Sequence, residues 1–202
     1  MAKANINSKK GFTIIEVVLV LAIAGLIFLM VFVALPALQC SQRDTARRND
    51  LARVDTSAVQ YQTNNQGTGN NGSNLPTPSE EWEPGEENEF PEECSSNTSC
   101  RFVRDYMNSG TSGTQKKNEF QDPDGTYYGF QVLQFGDTET SMADPLKLVN
   151  DEIVYDGNEM NHIVYLIVGA QCKGESAIKS SARHFAIIYR LEGAGTYCID
   201  DQ

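Results

Sequence analysis

Val17 to Leu35 is a run of nineteen residues without a charge, long enough to cross a bilayer as a helix. Past Pro36 the pattern changes. Leu51, Val54, Ala58 and Tyr61 recur at three- and four-residue intervals, an amphipathic stripe that can bury one helix face against a folded domain. Residues 12 to about 62 therefore read as one continuous helix, about 75 Å long at about 1.5 Å per residue. Its weak points are Gly25 and Pro36, because glycine lowers helix propensity and proline removes a backbone donor.

From residue 63 to 93 the rhythm disappears. This segment holds Gly67, Gly69 and Gly72, many asparagines, four of the seven prolines and eight glutamates. It cannot bury enough apolar surface to offset its ordering entropy, so it reads as a long exposed loop, with Trp82 and Phe90 touching down on the domain. Beyond it, Arg101 to Asn108 fits a short helix. The turn signal Asp122-Pro123-Asp124-Gly125 leads into a strand over Thr126 to Phe135. Ile163 to Val168, Phe185 to Leu191 and Thr196 to Ile199 read as further strands, with Asn150 to Asn161 and Lys173 to Ser181 as connecting loops. A helix laid on an antiparallel sheet of about four strands buries both apolar faces. The expected class is α+β, with residues 94–202 as the folded head.

One residue breaks the apolar pattern. Glu16 stands at the start of the greasy segment, where a carboxylate costs roughly 2.5 to 3.5 kcal/mol at the bilayer centre, and such a residue is a functional candidate by default. Its neighbours are specific too: Lys9-Lys10-Gly11-Phe12-Thr13-Ile14-Ile15-Glu16. This stretch resembles the class III signal of prepilins and pseudopilins, the precursors of type IV filament subunits. The pattern there is a basic leader ending in glycine, a phenylalanine, and a glutamate at the fifth position after the cut, ahead of a long apolar helix. The resemblance covers the first quarter of the chain and implies a pilin fold. It also implies removal of leader residues 1–11 by a prepilin peptidase cutting between Gly11 and Phe12, with N-methylation of Phe12. An ordinary secretory signal would instead place a small-residue site after its apolar region, and the sequence after Leu35 runs Pro36-Ala37-Leu38-Gln39-Cys40.

The resemblance gives Glu16 a role in assembly. The freed amine of Phe12 is the new positive charge at its depth, and pairing makes two groups tolerable that are each costly in hydrocarbon. Residues 12–35 would then be the transmembrane and assembly helix, and 36–62 its amphipathic continuation. Basic residues before the span, Lys3, Lys9 and Lys10, put the amino terminus inside and the bulk of the chain outside. Arg43, Arg47, Arg48 and Arg53 follow the span, where they would touch lipid headgroups or pair with acids of a neighbouring subunit. Asp44 and Arg48 stand four apart in the order that favours a helical ion pair.

The chain carries a formal charge of −11, and loss of Lys3, Lys9 and Lys10 with the leader takes it to −14. That balance argues against a broad nucleic-acid groove, which needs clustered lysine and arginine. Five cysteines in an exported chain read as disulfides before metal ligands. The favoured pairs are Cys94 with Cys100 and Cys172 with Cys198, leaving Cys40 near the membrane boundary. Asn71-Gly72-Ser73 and Asn97-Thr98-Ser99 fit the short glycosylation pattern.

The stretch Asp122-Pro123-Asp124-Gly125-Thr126-Tyr127-Tyr128 also resembles an element of type II secretion pseudopilins, some of which hold calcium near their sheet. Asp122, Asp124, Asp137 and Glu139 offer oxygen ligands, but no complete calcium loop is legible, and turn chemistry accounts for the first two. No phosphate-binding glycine loop, zinc-protease motif or nucleophile elbow is present, and no cofactor is implied. His162 and His184 border strands and read as packed or surface residues. The expected function is a structural subunit of a type IV pilus, serving attachment, twitching motility or DNA uptake. Its partners would be further pilins in a homo-polymer or mixed pilus, the prepilin peptidase and methylase, the assembly platform, and membrane lipid before assembly. The alternatives are a type II secretion pseudopilin and a membrane-tethered binding module that never polymerises.

Overall fold

The computed structural model describes residues 11–65, 74–78, 82, 98–107, 120–136, 145–157, 161–193 and 195–202. The acidic stretch around Phe90, the pattern Asn71-Gly72-Ser73, Asn97 of the second glycosylation pattern, Cys94, Asp137 and Glu139 lie outside them. The chain divides into two compact units, residues 1–40 and 41–202. Helix α1, Ile14–Asn64, belongs to both and runs through Pro36 without a break.

In the first unit α1 is long and apolar enough to cross a membrane, and none of that apolar window is buried within the chain. A helix whose apolar side chains face outward on every side belongs in a nonpolar surrounding rather than in water.

The second unit is layered. Helix α2, Thr98–Phe102, runs into a π-helical turn over Val103–Met107, where a single helix over 101–108 is expected from sequence. Eight strands follow: β1 Gly129–Gln134, β2 Leu146–Val149, β3 Glu152–Tyr155, β4 Ile163–Val168, β5 Ala170–Lys173, β6 Ser176–Lys179, β7 Phe185–Arg190 and β8 Thr196–Asp200. They form two sheets, ordered β1-β4-β7-β8 and β2-β3-β6-β5. In the first, β1 runs parallel to β4 and the other pairs are antiparallel.

The second sheet corrects the reading of 150–161 and 173–181 as loops. Its strands are four residues long, and β2 and β3 each bury one residue, Leu146 and Ile153. A strand with so thin a buried face carries little alternation to detect. The β2–β3 turn is also unmarked by glycine, since Asn150 and Asp151 adopt positive φ themselves, as a two-residue type I′ hairpin demands.

Side-chain alternation separates two cores. On one face of the first sheet, Phe130, Val132, Val164, Leu166, Phe185, Ile187 and Tyr189 meet Leu51, Val54 and Ala58 of α1, with Tyr61 packed at the edge. On the other, Tyr165, Ile167, Ala186 and Ile188 meet Leu146, Ile153, Ala170 and Ala177 of the second sheet. Central strand β4 is buried along its whole length, the pattern of a strand covered on both faces. Trp82 is buried as well and exchanges backbone hydrogen bonds with Phe130 at 2.9 and 2.8 Å. A disulfide joins Cys172 of β5 to Cys198 of β8, tying the edge strands of the two sheets. Cys100 is buried and disulfide-bonded.

Candidate functional site

Two groups of polar residues stand out, one in each unit. The first is at the start of α1. Thr13 is its N-cap, and Glu16 occupies the third helical position. The Thr13 backbone N–H and hydroxyl both donate to Glu16 Oε2 at 2.8 Å, and the Glu16 N–H reaches back to Thr13 Oγ1 at 3.4 Å. This reciprocal arrangement is a capping box, which satisfies donors that the first helical turn leaves open. Phe12, Glu16, Val17, Val20 and Leu21 line a shallow groove of about 490 Å³. Phe12 is 89% exposed, and a Cβ at Gly11 would meet nothing within 4 Å. Packing within the chain therefore asks for neither residue.

The second group surrounds Arg47, whose side chain is 1% exposed. Its Nε and Nη2 donate to the two oxygens of Asp122 at 2.8 Å each, and its Nη1 to Asp44 at 3.0 Å and Glu192 at 3.1 Å. Arg43 also donates to Glu192. Asp44 accepts the backbone N–H groups of Glu192 and Gly193 at 2.9 Å each, so it holds the 192–193 turn instead of pairing with Arg48. Of the other arginines after the span, Arg53 meets Asp50 and Arg48 lies over the Tyr197 ring within the same chain.

Asp122 is the buried acceptor at the centre. It takes the Tyr189 hydroxyl at 3.0 Å and the Asp124 N–H at 3.0 Å besides Arg47. Burial by itself would raise its pKa, but the Arg47 hydrogen bond, the Asp124 N–H and the Arg47 charge outweigh it and hold the carboxyl below its ordinary range. The converse holds for Arg47, where burial is overcome by bonds to Asp122 and Glu192 and the pKa is raised. Tyr128 and Tyr189 are pushed well up, first by burial and then by the charge of Asp122, so both stay protonated donors. The turn itself closes by Gly125 N–H donating to the Asp122 carbonyl at 2.9 Å, with Gly125 at φ +98°.

His162 approaches this turn from the entry to β4. It sits at φ +54°, takes part in a 3.0 Å hydrogen bond with Thr126 Oγ1, and places Nε2 at 3.6 Å from Asp124 Oδ2. His184 lies elsewhere, 3.1 Å from Asp201.

The two groups differ in kind. The first offers an acid in an unburied apolar helix beside an exposed phenylalanine; the second is an internal clamp. The prokaryotic N-terminal methylation motif matches residues 6–32, the region of the first group, and supports a type IV pilin-like protein. The α-helix and antiparallel-rich sheets give an α+β, pilin-like architecture. The motif implies processing by a prepilin peptidase and pilus-type assembly, in a family of structural subunits. A membrane-anchored pilin-type chain, on either the pilus or the pseudopilus side, fits both the signal and the apolar helix. No curated protein and no solved structure matches the chain.

Proposed function

We propose that this protein is a structural subunit of a type IV pilus. It is inserted with its amino terminus inside, cut between Gly11 and Phe12, methylated on the new Phe12 amine, and polymerised through the first part of α1. The observation that carries this reading is the methylation motif over residues 6–32 together with a carboxylate, Glu16, in an apolar helix that the chain leaves uncovered. The freed Phe12 amine of a neighbouring subunit is the chemical complement of that carboxylate. Only one axial offset between helices joins them, so the pair sets the stagger of the filament. Residues 94–202 form the head, and a second disulfide links Cys94 to Cys100.

The resemblance of Asp122 to Tyr128 to a pseudopilin element supports a second reading, a pseudopilus subunit of a secretion system. Retention of secreted enzymes in cells lacking this chain would favour it over attachment, motility or DNA uptake. Mass spectrometry of sheared surface material tests the main reading: the expected product begins at methylated Phe12. Glu16→Ala should leave insertion and cleavage intact and sharply reduce filaments. Normal filaments from that variant, or only uncut precursor at the surface of cells that possess the peptidase, would overturn the reading.

A further inference from the structure

We infer that Trp82 and Ser99 guard the outer edge of β1, and that without them this edge pairs with the β1 of a second copy.

The first observation is what β1 lacks. The sheets have four edge strands, β1 and β8 in the first, β2 and β5 in the second. An edge strand offers N–H and C=O groups to any other strand, and charged side chains are the usual deterrent. β2 carries Lys147, β5 carries Lys173 and β8 carries Asp200. β5 and β8 also close on each other, through the Cys172–Cys198 disulfide and the Cys172 N–H on Asp200 Oδ2 at 2.6 Å. β1 has no charge, and the run from Thr126 to Phe135 around it holds ten residues with neither charge nor proline. Such segments, rich in aromatic and β-branched residues, are the ones that stack edge to edge.

The second observation is where the hydrogen bonds of β1 go. The Gly129 N–H donates to the His162 carbonyl at 2.9 Å and the Phe135 N–H to the Val168 carbonyl at 2.8 Å, so the odd-numbered residues face β4. The even-numbered ones face away, and there residues outside the eight strands take their groups. Trp82 takes both the N–H and the C=O of Phe130, and Ser99 Oγ accepts the Val132 N–H at 3.2 Å. Both guards are buried, so packing anchors them. In sequence Trp82 stands between Glu81 and Glu83, so the residue that closes this edge comes with the charge that β1 lacks. The one uncharged edge is the one that two non-strand residues cover.

The inference does not depend on the filament reading. Its test is hydrogen exchange, read at single amides, on the full chain in detergent at low and high protein concentration. Trp82→Pro removes the donor to the Phe130 carbonyl, and Ser99→Ala removes the acceptor for Val132. In the native protein the Phe130, Gln131, Val132 and Leu133 amides should all be protected at both concentrations. In the double variant Phe130 and Val132 should exchange at least ten-fold faster when dilute and regain protection when concentrated, while Gln131 and Leu133 stay protected throughout. Trp82→Ala, which keeps the backbone and loses the anchor, should show the same pattern more weakly. Adding Gln134→Lys gives β1 the charge of the other edges and should abolish the regained protection alone. Fast exchange of Phe130 and Val132 that persists at high concentration would overturn the inference. So would unchanged protection in the double variant, or loss of protection at all four amides in every variant.

Discussion

Replacing Arg47 with methionine removes a cation and keeps most of the side chain's bulk. In the folded protein Arg47 supplies two of the four hydrogen bonds that the Asp122 carboxylate accepts among the described residues, and both side chains are almost fully buried, at 1% and 0% exposure. The variant leaves the Asp122 carboxylate with the Tyr189 hydroxyl and the Asp124 N–H alone. Breaking one partner out of a buried pair costs about 3–5 kcal/mol, because the remaining charge stays desolvated. The two surviving donors argue for the lower end. The pH dependence follows in sign. In the native protein the Asp122 pKa is lowered, so its contribution is present above the unfolded value of about 3.9 and is lost as pH falls through the folded one. Without Arg47, burial is opposed only by the Asp124 N–H and the Tyr189 hydroxyl and the pKa rises, so the variant is penalised at neutral pH and relieved as Asp122 takes up a proton. Acidification therefore narrows the difference from both sides. Urea unfolding of the full chain in detergent, read through its single tryptophan, the buried Trp82, measures this at pH 7 and pH 4. Adding Asp122→Asn to Arg47→Met should recover part of the loss at pH 7. A deficit under about 1 kcal/mol at neutral pH, the range of an exposed pair, would refute the reasoning, as would a deficit equal at both pH values.

Two further outcomes are expected. Cys172 and Cys198 are 26 residues apart, and replacing both with serine should lower stability by about 3 kcal/mol through freedom returned to the unfolded chain; reducing agent should cost the native protein more than the variant by that amount, because the variant keeps only the Cys100 disulfide. Asp55 on α1 has its pKa raised, first by burial and then by the charges of Asp201 and Asp200, and its Oδ1 is buried with no hydrogen-bond partner among the described residues. Because its charged form is the disfavoured one, Asp55→Asn should stabilise the protein at pH 7, by under about 1 kcal/mol for a partly exposed group, seen as a higher melting temperature, and the gain should fade as pH falls towards about 3.9.

The opening of the chain is legible because its signals are local. Gly11, Phe12 and Glu16 fall within six consecutive residues, and the apolar run that follows needs no partner to be recognised. The stripe of Leu51, Val54 and Ala58 is legible for the same reason, since helical period is written in consecutive residues, and all three are buried. The central strands β4 and β7 announce themselves through unbroken apolar runs. The capping box is local as well, since Thr13-x-x-Glu16 is a standard helix-start signature, but the same glutamate carries the stronger signal of a charge in an apolar run. Arg47 was not legible at all. Its partners lie 75 residues away at Asp122 and 145 away at Glu192, and nothing in the local sequence distinguishes it from Arg43, Arg48 or Arg53. The parallel pairing of β1 with β4 is non-local in the same sense, as is the second sheet.

A buried arginine is a poor device for stability alone, since well-packed apolar residues often serve as well. Its use here is better understood through register. The apolar stripe of α1 repeats every three or four residues, so sliding the helix by one turn, about 5.4 Å, would bring Val54 towards the place of Leu51 and Ala58 towards that of Val54. Burial by itself discriminates weakly between those two arrangements. In that slip Leu51, one turn further on, would take the place of Arg47 and set a leucine against Asp122. Only one setting lets a single guanidinium meet Asp122 and Glu192 while Asp44 receives the two N–H groups of the 192–193 turn. A slipped helix would leave Asp122 buried and unpaired. The apolar stripe thus brings the helix to the sheet, and the arginine decides at which turn it stops.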